Sequence, residues 1–324
     1  MKAMIVNQWG EPRDMILVDL PDPRPAEGQV AVDVRAIGCN FFDILMVQGK
    51  YQVRPPFPFS PGNEVAGVIR EVGPGANRFA PGDRVLAMPG WGGFASVVVA
   101  PESWIHQVPQ AMSFEHAAAF PIGYQTSYFG LVHRADLQPG ETLLVHAAAG
   151  GVGLAAVQIG SALGARVLAG AGSARKLEIA REHGASETID YSIPGWEKRV
   201  LELTGGRGAD VIYDPVGGDI FDLSTKCIAF EGRLLVVGFT SGRIPAIQAN
   251  RILLKNISIV GLHWGTYRDR EPALIDRTFE TLFDLYQTGE IRPLVSATYP
   301  LADAAAALEE IGSRRSFGKV VLHP

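Results

Sequence analysis

The chain has 324 residues, of which 47% are hydrophobic and 19% charged, with a formal net charge of −5. This composition is typical of a globular protein with a full core, and the length suggests two domains. Acidic and basic residues are well mixed, which argues against a nucleic-acid-binding surface. The two cysteines, Cys39 and Cys227, exclude a disulfide framework and a four-cysteine zinc site.

The first ten residues, MKAMIVNQWG, lack the apolar core of a signal peptide. No apolar run reaches the length of about 18 residues that a membrane helix needs. We therefore expect a cytoplasmic protein with no membrane partner.

The first 120 residues read as β-rich, with short apolar runs between proline and glycine turns. Within them, Phe41–Gln48 is predicted to be a short helix, since Asn40 can cap it and Asp43 takes its third position. The strand-like runs are Gln29–Ile37, Val65–Val72 and Phe94–Ala100.

After Pro121, strand-like runs alternate with helix-like runs. Continuous apolar strands that are each followed by a helix predict a parallel sheet covered on both faces, an α/β arrangement. The last run, Lys319–Leu322, could return to the β-rich domain, so that the α/β domain is inserted in the middle of the chain. The strand-like runs of this domain are Thr142–His146, Arg166–Gly170, Asp210–Asp214, Arg233–Gly238 and Ser258–Leu262.

The segment VHAAAGGVGLAAVQIG follows the first of these strands and opens a helix. It places Ala148, Gly150 and Gly153 in the three positions of the G-x-G-x-x-G dinucleotide fingerprint, with alanine in the first. The helix is expected over Val152–Leu163, and Gly151 and Val152 are expected to bind the cofactor at its N-terminus, which offers N–H groups to phosphates. The alternative interpretation is a glycine-rich turn that binds nothing.

The end of the second strand indicates which nicotinamide cofactor binds. An NAD site usually has an acid there, yet this position is Ala171. Ser173, Arg175 and Lys176 follow it and could bind a 2′-phosphate, and Tyr191 after the third strand is a further candidate. Alternatively, Arg175 or Lys176 could simply be a solvated side chain in the first turn of the following helix. The missing acid and the added bases together favour NADPH.

These motifs make the chain resemble the zinc-free quinone oxidoreductase branch of the medium-chain dehydrogenase/reductase superfamily, to which ζ-crystallin belongs. The resemblance implies a GroES-like catalytic domain formed by residues 1–122 and 263–324, a Rossmann NADPH-binding domain at 123–262, and homodimers or homotetramers. The motifs that carry it are Ala36–Asp43, Pro61–Ile69, Phe79–Val85, His146–Gly153 and Tyr213–Gly218.

The zinc alcohol dehydrogenases of the same superfamily have a GHE motif that supplies a zinc ligand. Here the triplet is Gly62-Asn63-Glu64, so the histidine is absent, and Cys39 or Asn40 stands in the region of the first ligand. We therefore expect no metal. Without a Lewis acid, a conjugated acceptor such as a quinone is the expected substrate, because its reduced form is a delocalised anion.

The resemblance also implies roles for individual residues. Asn40 and Asp43 match the family's N-x-x-D pattern, in which Asn40 would bond the cofactor ribose or polarise the substrate carbonyl. Tyr51 matches a pocket tyrosine, whereas Leu45 stands where the family often has a second one. Thr126, expected at the start of a helix, matches a threonine that contacts the nicotinamide ribose. Three residues after a strand end complete the expected cofactor site: Val237, Gly238 and Phe239.

Two other functions stay open on the sequence. The same site could reduce the double bond of an enone or an enoyl thioester such as an enoyl-CoA. A cofactor-binding structural or RNA-binding role, as in some ζ-crystallins, is the alternative of another class, and the acidic net charge disfavours it.

Overall fold

The chain divides into two units, and the computed structural model describes all 324 residues. The terminal unit consists of Met1–Ile122 and Pro293–Pro324, and the central unit of Gly123–Arg292. None of the helices combines the length and the apolar character that crossing a bilayer requires.

The terminal unit is mainly β-sheet. Its N-terminal part contains strands β1 (Lys2–Ile5), β2 (Ile16–Asp19), β3 (Gln29–Gly38), β4 (Val65–Val72), β5 (Arg84–Ala87), β6 (Val97–Pro101) and β7 (Ile105–Gln107), with helices α1 (Phe41–Val47) and α2 (Phe114–Ala118). Helix α3 (Pro121–Tyr128) begins at its end and is followed by a π-helical turn, Phe129–Arg134.

The central unit alternates strands and helices. Its strands are β8 (Thr142–Val145), β9 (Arg166–Ala171), β10 (Glu187–Asp190), β11 (Ala209–Asp214), β12 (Ile228–Val236) and β13 (Ser258–Gly261). Its helices are α4 (Gly151–Ala162), α5 (Ala174–Glu182), α6 (Trp196–Leu203), α7 (Gly218–Cys227), α8 (Ala249–Lys255), α9 (Gly265–Arg270) and α10 (Pro272–Thr288). The chain then completes the terminal unit with β14 (Val295–Pro300), α11 (Ala304–Gly312) and β15 (Lys319–His323).

The six central strands form one parallel sheet in the order β10-β9-β8-β11-β12-β13. The order reverses between β8 and β11, the point at which open α/β sheets bind ligands beyond the carboxyl ends of their strands. The apolar side chains of β8, β9 and β11 are buried, as expected for strands that helices cover on both faces. The predicted α/β class and the Rossmann sheet are confirmed.

The terminal unit has a seven-stranded sheet in which β15 pairs antiparallel with β3, so that Leu322 lies opposite Ile37. The C-terminal strand therefore does return to the β-rich part of the chain. This pairing brings Lys319, the first residue of β15, to the end of β3, just before α1 begins.

The expected second boundary, after residue 262, differs from that of the structure, where residues 263–292 belong to the central unit. Contacts within that unit explain the difference. Tyr267 packs on Phe129 with ring centroids 5.0 Å apart, and Gln158 Nε2 donates to the Arg292 carbonyl at 2.9 Å. Helix α9 and the segment that follows α10 thus bury apolar and polar groups against the rest of the central unit.

Candidate active site and cofactor site

The turn after β8 is tight and leads into helix α4. Ala147 adopts the left-handed conformation with φ of 48°, and its carbonyl accepts a bond from Gly150 N at 2.8 Å. Gly150 precedes α4, whose first turn carries no acidic side chain. The free N–H groups of this helix end can therefore face an anion without a competing carboxylate.

The two glycines of the fingerprint have different surroundings. A Cβ atom on Gly153 would lie 2.1 Å from the Ala147 carbonyl oxygen, so no larger residue fits there without moving the backbone. A Cβ atom on Gly150 would lie 3.3 Å from the same oxygen, which is tight but tolerable. Gly153 is thus required for packing, and Gly150 keeps the face of the turn open. These residues fit a dinucleotide.

The end of β9 has room and polar groups where a 2′-phosphate is expected. Ala171 is buried, while Ser173 is exposed and its hydroxyl does not cap α5. Lys176 is half-buried in the first turn of α5, and Arg175 forms an exposed ion pair with Glu178 at 2.7 Å. Such an exposed pair is weak, so Arg175 can exchange it for a phosphate.

The ring of Tyr191 lies against the strand end that leads to this region. A Cβ atom on Gly170 would be 3.2 Å from the ring, and one on Gly172 would be 3.3 Å from it. Small residues at both positions therefore leave space for the aromatic ring. Tyr191 is half-buried and forms one wall of the predicted phosphate region.

A turn that the sequence reasoning did not assign organises the next part of the site. Asp214, at the end of β11, accepts bonds from Val216 N at 2.8 Å and Gly217 N at 3.0 Å. Burial raises its pKa from the ordinary value to about 6, and these two N–H donors oppose the rise. The sequence signal that could have revealed this turn is an acid at a strand end followed by small residues.

Three predicted cofactor residues follow β12 beside this turn. The N–H groups of Val237 and Gly238 donate to the Asp214 carbonyl at 3.0 and 3.4 Å. A Cβ atom on Gly217 would lie 2.9 Å from the Phe239 ring, whose side chain is 38% exposed. Phe239 is therefore a surface aromatic at the carboxyl edge of the sheet.

Thr126 lies in the second turn of α3, since this helix begins at Pro121. The expectation that Thr126 starts the helix is therefore wrong, because Pro121 occupies that position, where its fixed φ angle suits a helix. Thr126 is half-buried, and the neighbouring Ser127 hydroxyl donates to the Val152 carbonyl at 2.8 Å. This bond ties α3 to the start of α4, directly after the turn that follows β8.

In the terminal unit, three polar side chains meet at the start of α1. Asn40 Nδ2 donates to Glu64 Oε1 at 2.7 Å, and Lys319 Nζ donates to Asn40 Oδ1 at 2.7 Å. Lys319 also forms an ion pair with Glu64, and the other oxygen of Glu64 accepts from Ile122 N at 2.9 Å. Glu64 is fully buried, Lys319 is 6% exposed, and only Asn40 is half-buried.

The Asp43 carboxylate orders the backbone around Asn40. Its carboxylate accepts from Asn40 N at 2.8 Å and from Gly62 N at 3.3 Å, so it sits at the third position of α1 as predicted. Burial raises its pKa from the ordinary value to about 7, while the Asn40 N–H opposes the rise. Because Asp43 is completely buried, it orders the loop and does not itself offer a surface to a ligand.

Tyr51 stacks on Phe42 with ring centroids 5.4 Å apart and an interplanar angle of 24°. Burial raises its pKa above the ordinary value. Tyr51 follows α1 closely, and its N–H donates to the Leu45 carbonyl at 3.1 Å. The predicted catalytic residues Asn40, Asp43 and Tyr51 therefore all belong to α1 or its flanks.

The residues at this position do not fit a zinc ion. Asn63 Oδ1 accepts a hydrogen bond from Gly90 N at 2.5 Å. The Glu64 carboxylate already accepts from three donors, which are the Asn40 amide, the Ile122 N–H and the Lys319 ammonium. Burial raises the pKa of the Cys39 thiol well above its ordinary value, which disfavours the thiolate that binds metals. No group of three acidic, histidine or cysteine side chains is arranged to hold a metal.

Comparison with known proteins identifies the family. The zinc-binding dehydrogenase family matches residues 151–280, and the alcohol dehydrogenase GroES-like domain matches residues 26–110. The quinone oxidoreductase-like protein 2 homolog of Nematostella vectensis is 42% identical over 326 aligned residues, covering 99% of this chain and 88% of that protein. The chain belongs to the zinc-free, quinone oxidoreductase-like branch of the medium-chain dehydrogenase/reductase superfamily.

Two further relatives of this oxidoreductase agree with that assignment. The quinone oxidoreductase of Pseudomonas aeruginosa is 37% identical over 98% of this chain and 97% of its own length. The solved structure of Escherichia coli quinone oxidoreductase complexed with NADPH has a TM-score of 0.94 and 32% identity, with 100% of both chains covered. The predicted fold, family and enzyme class are confirmed.

Sequence reasoning missed Glu64 and Lys319 as members of the polar cluster. Glu64 stood in the GHE-like triplet, where the missing histidine was the only signal used. Lys319 is 279 residues from Asn40 and carries no local motif. The only signal for it was the expected return of the C-terminal strand to the β-rich domain.

Proposed function

We propose that this oxidoreductase uses NADPH to reduce a quinone or another small conjugated carbonyl compound by hydride transfer, without a metal ion. The observation that carries the proposal is the half-buried amide of Asn40. It is held by Lys319 and Glu64 in the region where zinc dehydrogenases place a metal ligand. An oriented amide N–H, rather than a Lewis acid, is then the group available to a carbonyl oxygen.

This donor suits a conjugated acceptor. The nicotinamide of bound NADPH supplies the hydride. Negative charge that develops on a quinone or an enone is delocalised, so one hydrogen-bond donor gives sufficient stabilisation. We assign this donor to Asn40, the ordering of its loop to Asp43, and a wall of the acceptor pocket to Tyr51. Water supplies the proton that completes the reduction.

The cofactor residues are proposed from the central unit. Ala148, Gly150, Gly151, Val152 and Gly153 would receive the pyrophosphate at the α4 N-terminus. Beyond these, we assign the 2′-phosphate to Ser173, Lys176 and Tyr191 and the nicotinamide end to Thr126, Val237, Gly238 and Phe239. The buried Ala171 supports NADPH over NADH, because no acid stands there to bind the ribose hydroxyls or repel a phosphate.

We further propose that the enzyme acts in the cytoplasm as a homodimer. The support for the dimer is the outer edge of the central sheet at β13, which pairs with no further strand, and the exposed apolar side chains on β12 and α8. Phe230, Leu253 and Leu254 are each more than 60% exposed. Exposed edges and apolar patches of this kind favour association.

A substrate screen tests the proposed reaction. NADPH oxidation is measured with 1,4-benzoquinone, 2-hexenal, crotonyl-CoA and the unconjugated ketone cyclohexanone. We expect kcat/KM for a conjugated acceptor to exceed that for cyclohexanone at least about 100-fold, and Asn40→Ala to lower it about 10- to 100-fold. Equal rates with the isolated ketone would refute the proposal, and preference for crotonyl-CoA would favour the enoyl-thioester alternative.

Removal of metals tests the proposal that the reaction needs no metal ion. We expect full activity after dialysis against a strong chelator, with elemental analysis showing no stoichiometric zinc, because the Lys319 ammonium occupies the bonding sites of Glu64. Activity that disappears on chelation and returns with added zinc would contradict this expectation.

A further inference from the structure

The amide of Asn40 has its orientation determined by the chemistry of its two partners. A lysine ammonium can only donate hydrogen bonds, so the atom that faces Lys319 must be the amide oxygen. A carboxylate can only accept them, so the atom that faces Glu64 must be the amide nitrogen. The flipped amide would place donor against donor and acceptor against acceptor.

The cluster is built so that these partners cannot move away. Lys319 begins β15, which pairs with β3, and its backbone N–H donates to the Leu294 carbonyl at 2.8 Å. A Cβ atom on Gly38 would lie 2.5 Å from Glu64 Oε1, so only glycine at this position leaves room for the carboxylate. Buried polar groups that are fully bonded in this way are rigid.

Asn40 has hydrogen-bonding capacity left over. An amide nitrogen carries two N–H groups, and Glu64 takes one of them. Asn40 is also the half-buried member of the cluster, whereas Glu64 and Lys319 are buried. In addition, a bond from an ammonium to the amide oxygen polarises the amide and makes its N–H groups better donors.

We propose that Lys319 is a positioning residue for the reaction and acts through Asn40. It orients and polarises the amide so that the remaining N–H of Asn40 points to an acceptor oxygen. This inference rests on the proposed function, in which Asn40 is the donor to the substrate carbonyl. Lys319 itself is buried and does not touch the substrate.

A double-mutant cycle separates this role from a purely structural one. The rate of hydride transfer to 1,4-benzoquinone is measured in a single turnover for wild type, Lys319→Met, Asn40→Ala and the double variant. We expect Lys319→Met to slow the transfer about 10- to 100-fold with the NADPH dissociation constant unchanged within about twofold. In the Asn40→Ala background, the same substitution should change the rate less than about twofold, because the group it acts through is gone.

Lys255→Met is the matched control. Lys255 Nζ donates to the Lys226 and Ile228 carbonyls at 3.0 and 3.2 Å, so it is a bonded lysine with a structural role in the central unit. We expect this control to lower the denaturant midpoint and leave the transfer rate unchanged.

A second variant covers the case in which Lys319→Met does not fold because Glu64 stays charged. The cycle is then run with Glu64→Gln/Lys319→Met, which removes both charges. The glutamine amide introduced by this substitution can donate as well as accept, so it no longer orients Asn40. The same loss of transfer rate is therefore expected.

The outcomes are distinct. If Asn40→Ala has no effect, the proposed donor is wrong and the inference about Lys319 fails with it. If Asn40→Ala slows transfer and Lys319→Met does not, or if the two effects multiply, the proposed function stands and Lys319 has no positioning role. Slower transfer in Lys319→Met that disappears in the Asn40→Ala background supports the inference.

Discussion

At the scale of single residues, Lys176 tests the cofactor preference. We expect Lys176→Ala to weaken NADPH binding by roughly 1.5–3 kcal/mol, about 10- to 100-fold, because a charge-assisted bond to the 2′-phosphate is lost. NADH, which lacks that phosphate, should bind equally well to both proteins. Titration of each cofactor by fluorescence measures the two dissociation constants.

Lys198→Ala provides the control for Lys176, since Lys198 is an exposed lysine on α6 of the same unit. We expect it to leave the affinity for NADPH unchanged. Equal losses of NADPH and NADH affinity in Lys176→Ala would show that this lysine does not recognise the 2′-phosphate.

His146 predicts a specific pH dependence of stability. It is fully buried, its Nε2 lies 2.8 Å from the Ser224 hydroxyl, and burial lowers its pKa to about 3. In the unfolded chain the ring takes up a proton near pH 6.5. Between these values only the unfolded state binds this proton, so the contribution of His146 to stability is complete above about pH 6.5 and falls as the pH decreases.

The slope of stability against pH measures this effect. Urea unfolding between pH 6 and pH 4.5 should show a free energy of unfolding that depends less steeply on pH in His146→Leu than in wild type. The expected difference is at most about 1.4 kcal/mol per pH unit. Loss of the bond to Ser224 lowers the free energy of unfolding of the variant equally at every pH, so it does not change the slope. Parallel slopes would mean that the native state protonates His146.

At the scale of the element, the two glycines at the turn between β8 and α4 separate packing from the proposed cofactor binding. Gly153→Ala should destabilise the protein by about 1–3 kcal/mol, because the new Cβ meets the Ala147 carbonyl oxygen 2.1 Å away. Gly150→Ala should fold normally, since its Cβ is 3.3 Å from that oxygen and its φ of −80° suits alanine. It should instead weaken NADPH about tenfold or more by obstructing the pyrophosphate.

Thermal unfolding and NADPH titration of both glycine variants give the comparison. An unstable Gly150→Ala together with a stable Gly153→Ala would reverse the roles assigned here. Equal NADPH affinity of wild type and Gly150→Ala would show that the pyrophosphate does not approach this face of the turn.

At the scale of the whole molecule, the free edge of β13 predicts a homodimer. Leu262 N donates to the Val236 carbonyl at 3.1 Å. Because N–H groups alternate along a strand, Val260 also faces β12 and Ile259 faces the free edge. A second copy could pair with this edge about a two-fold axis. Light scattering should give about twice the chain mass of 34.8 kDa.

Two proline substitutions in β13 test whether its outer edge forms the dimer interface. Ile259→Pro should shift the protein towards monomer, since it removes an outward N–H and leaves the bonds to β12 in place. Val260→Pro should reduce the stability of the sheet itself, because it removes a bond to β12. A wild-type monomer would refute the dimer, and an Ile259→Pro dimer of unchanged stability would place the interface elsewhere.

The sequence by itself determined the parallel sheet, the glycine turn between β8 and α4, and the helix α1 with Asp43 at its third position. Each of these depends on neighbours within about twenty residues, where hydrophobic period, glycine placement and capping act directly. For the same reason, β4 agrees with its predicted bounds, and α4 begins within one residue of the expected position.

Only the tertiary structure decided the partners of Asn40 and the end of the central unit. Lys319 reaches Asn40 because β15 pairs with β3. Helix α10 and the segment after it join the central unit because Gln125 bonds to Ile275 and Gln158 to Arg292. Contacts between residues more than a hundred positions apart leave no period or spacing in a single sequence. They follow from which buried surfaces and polar groups the completed fold brings together.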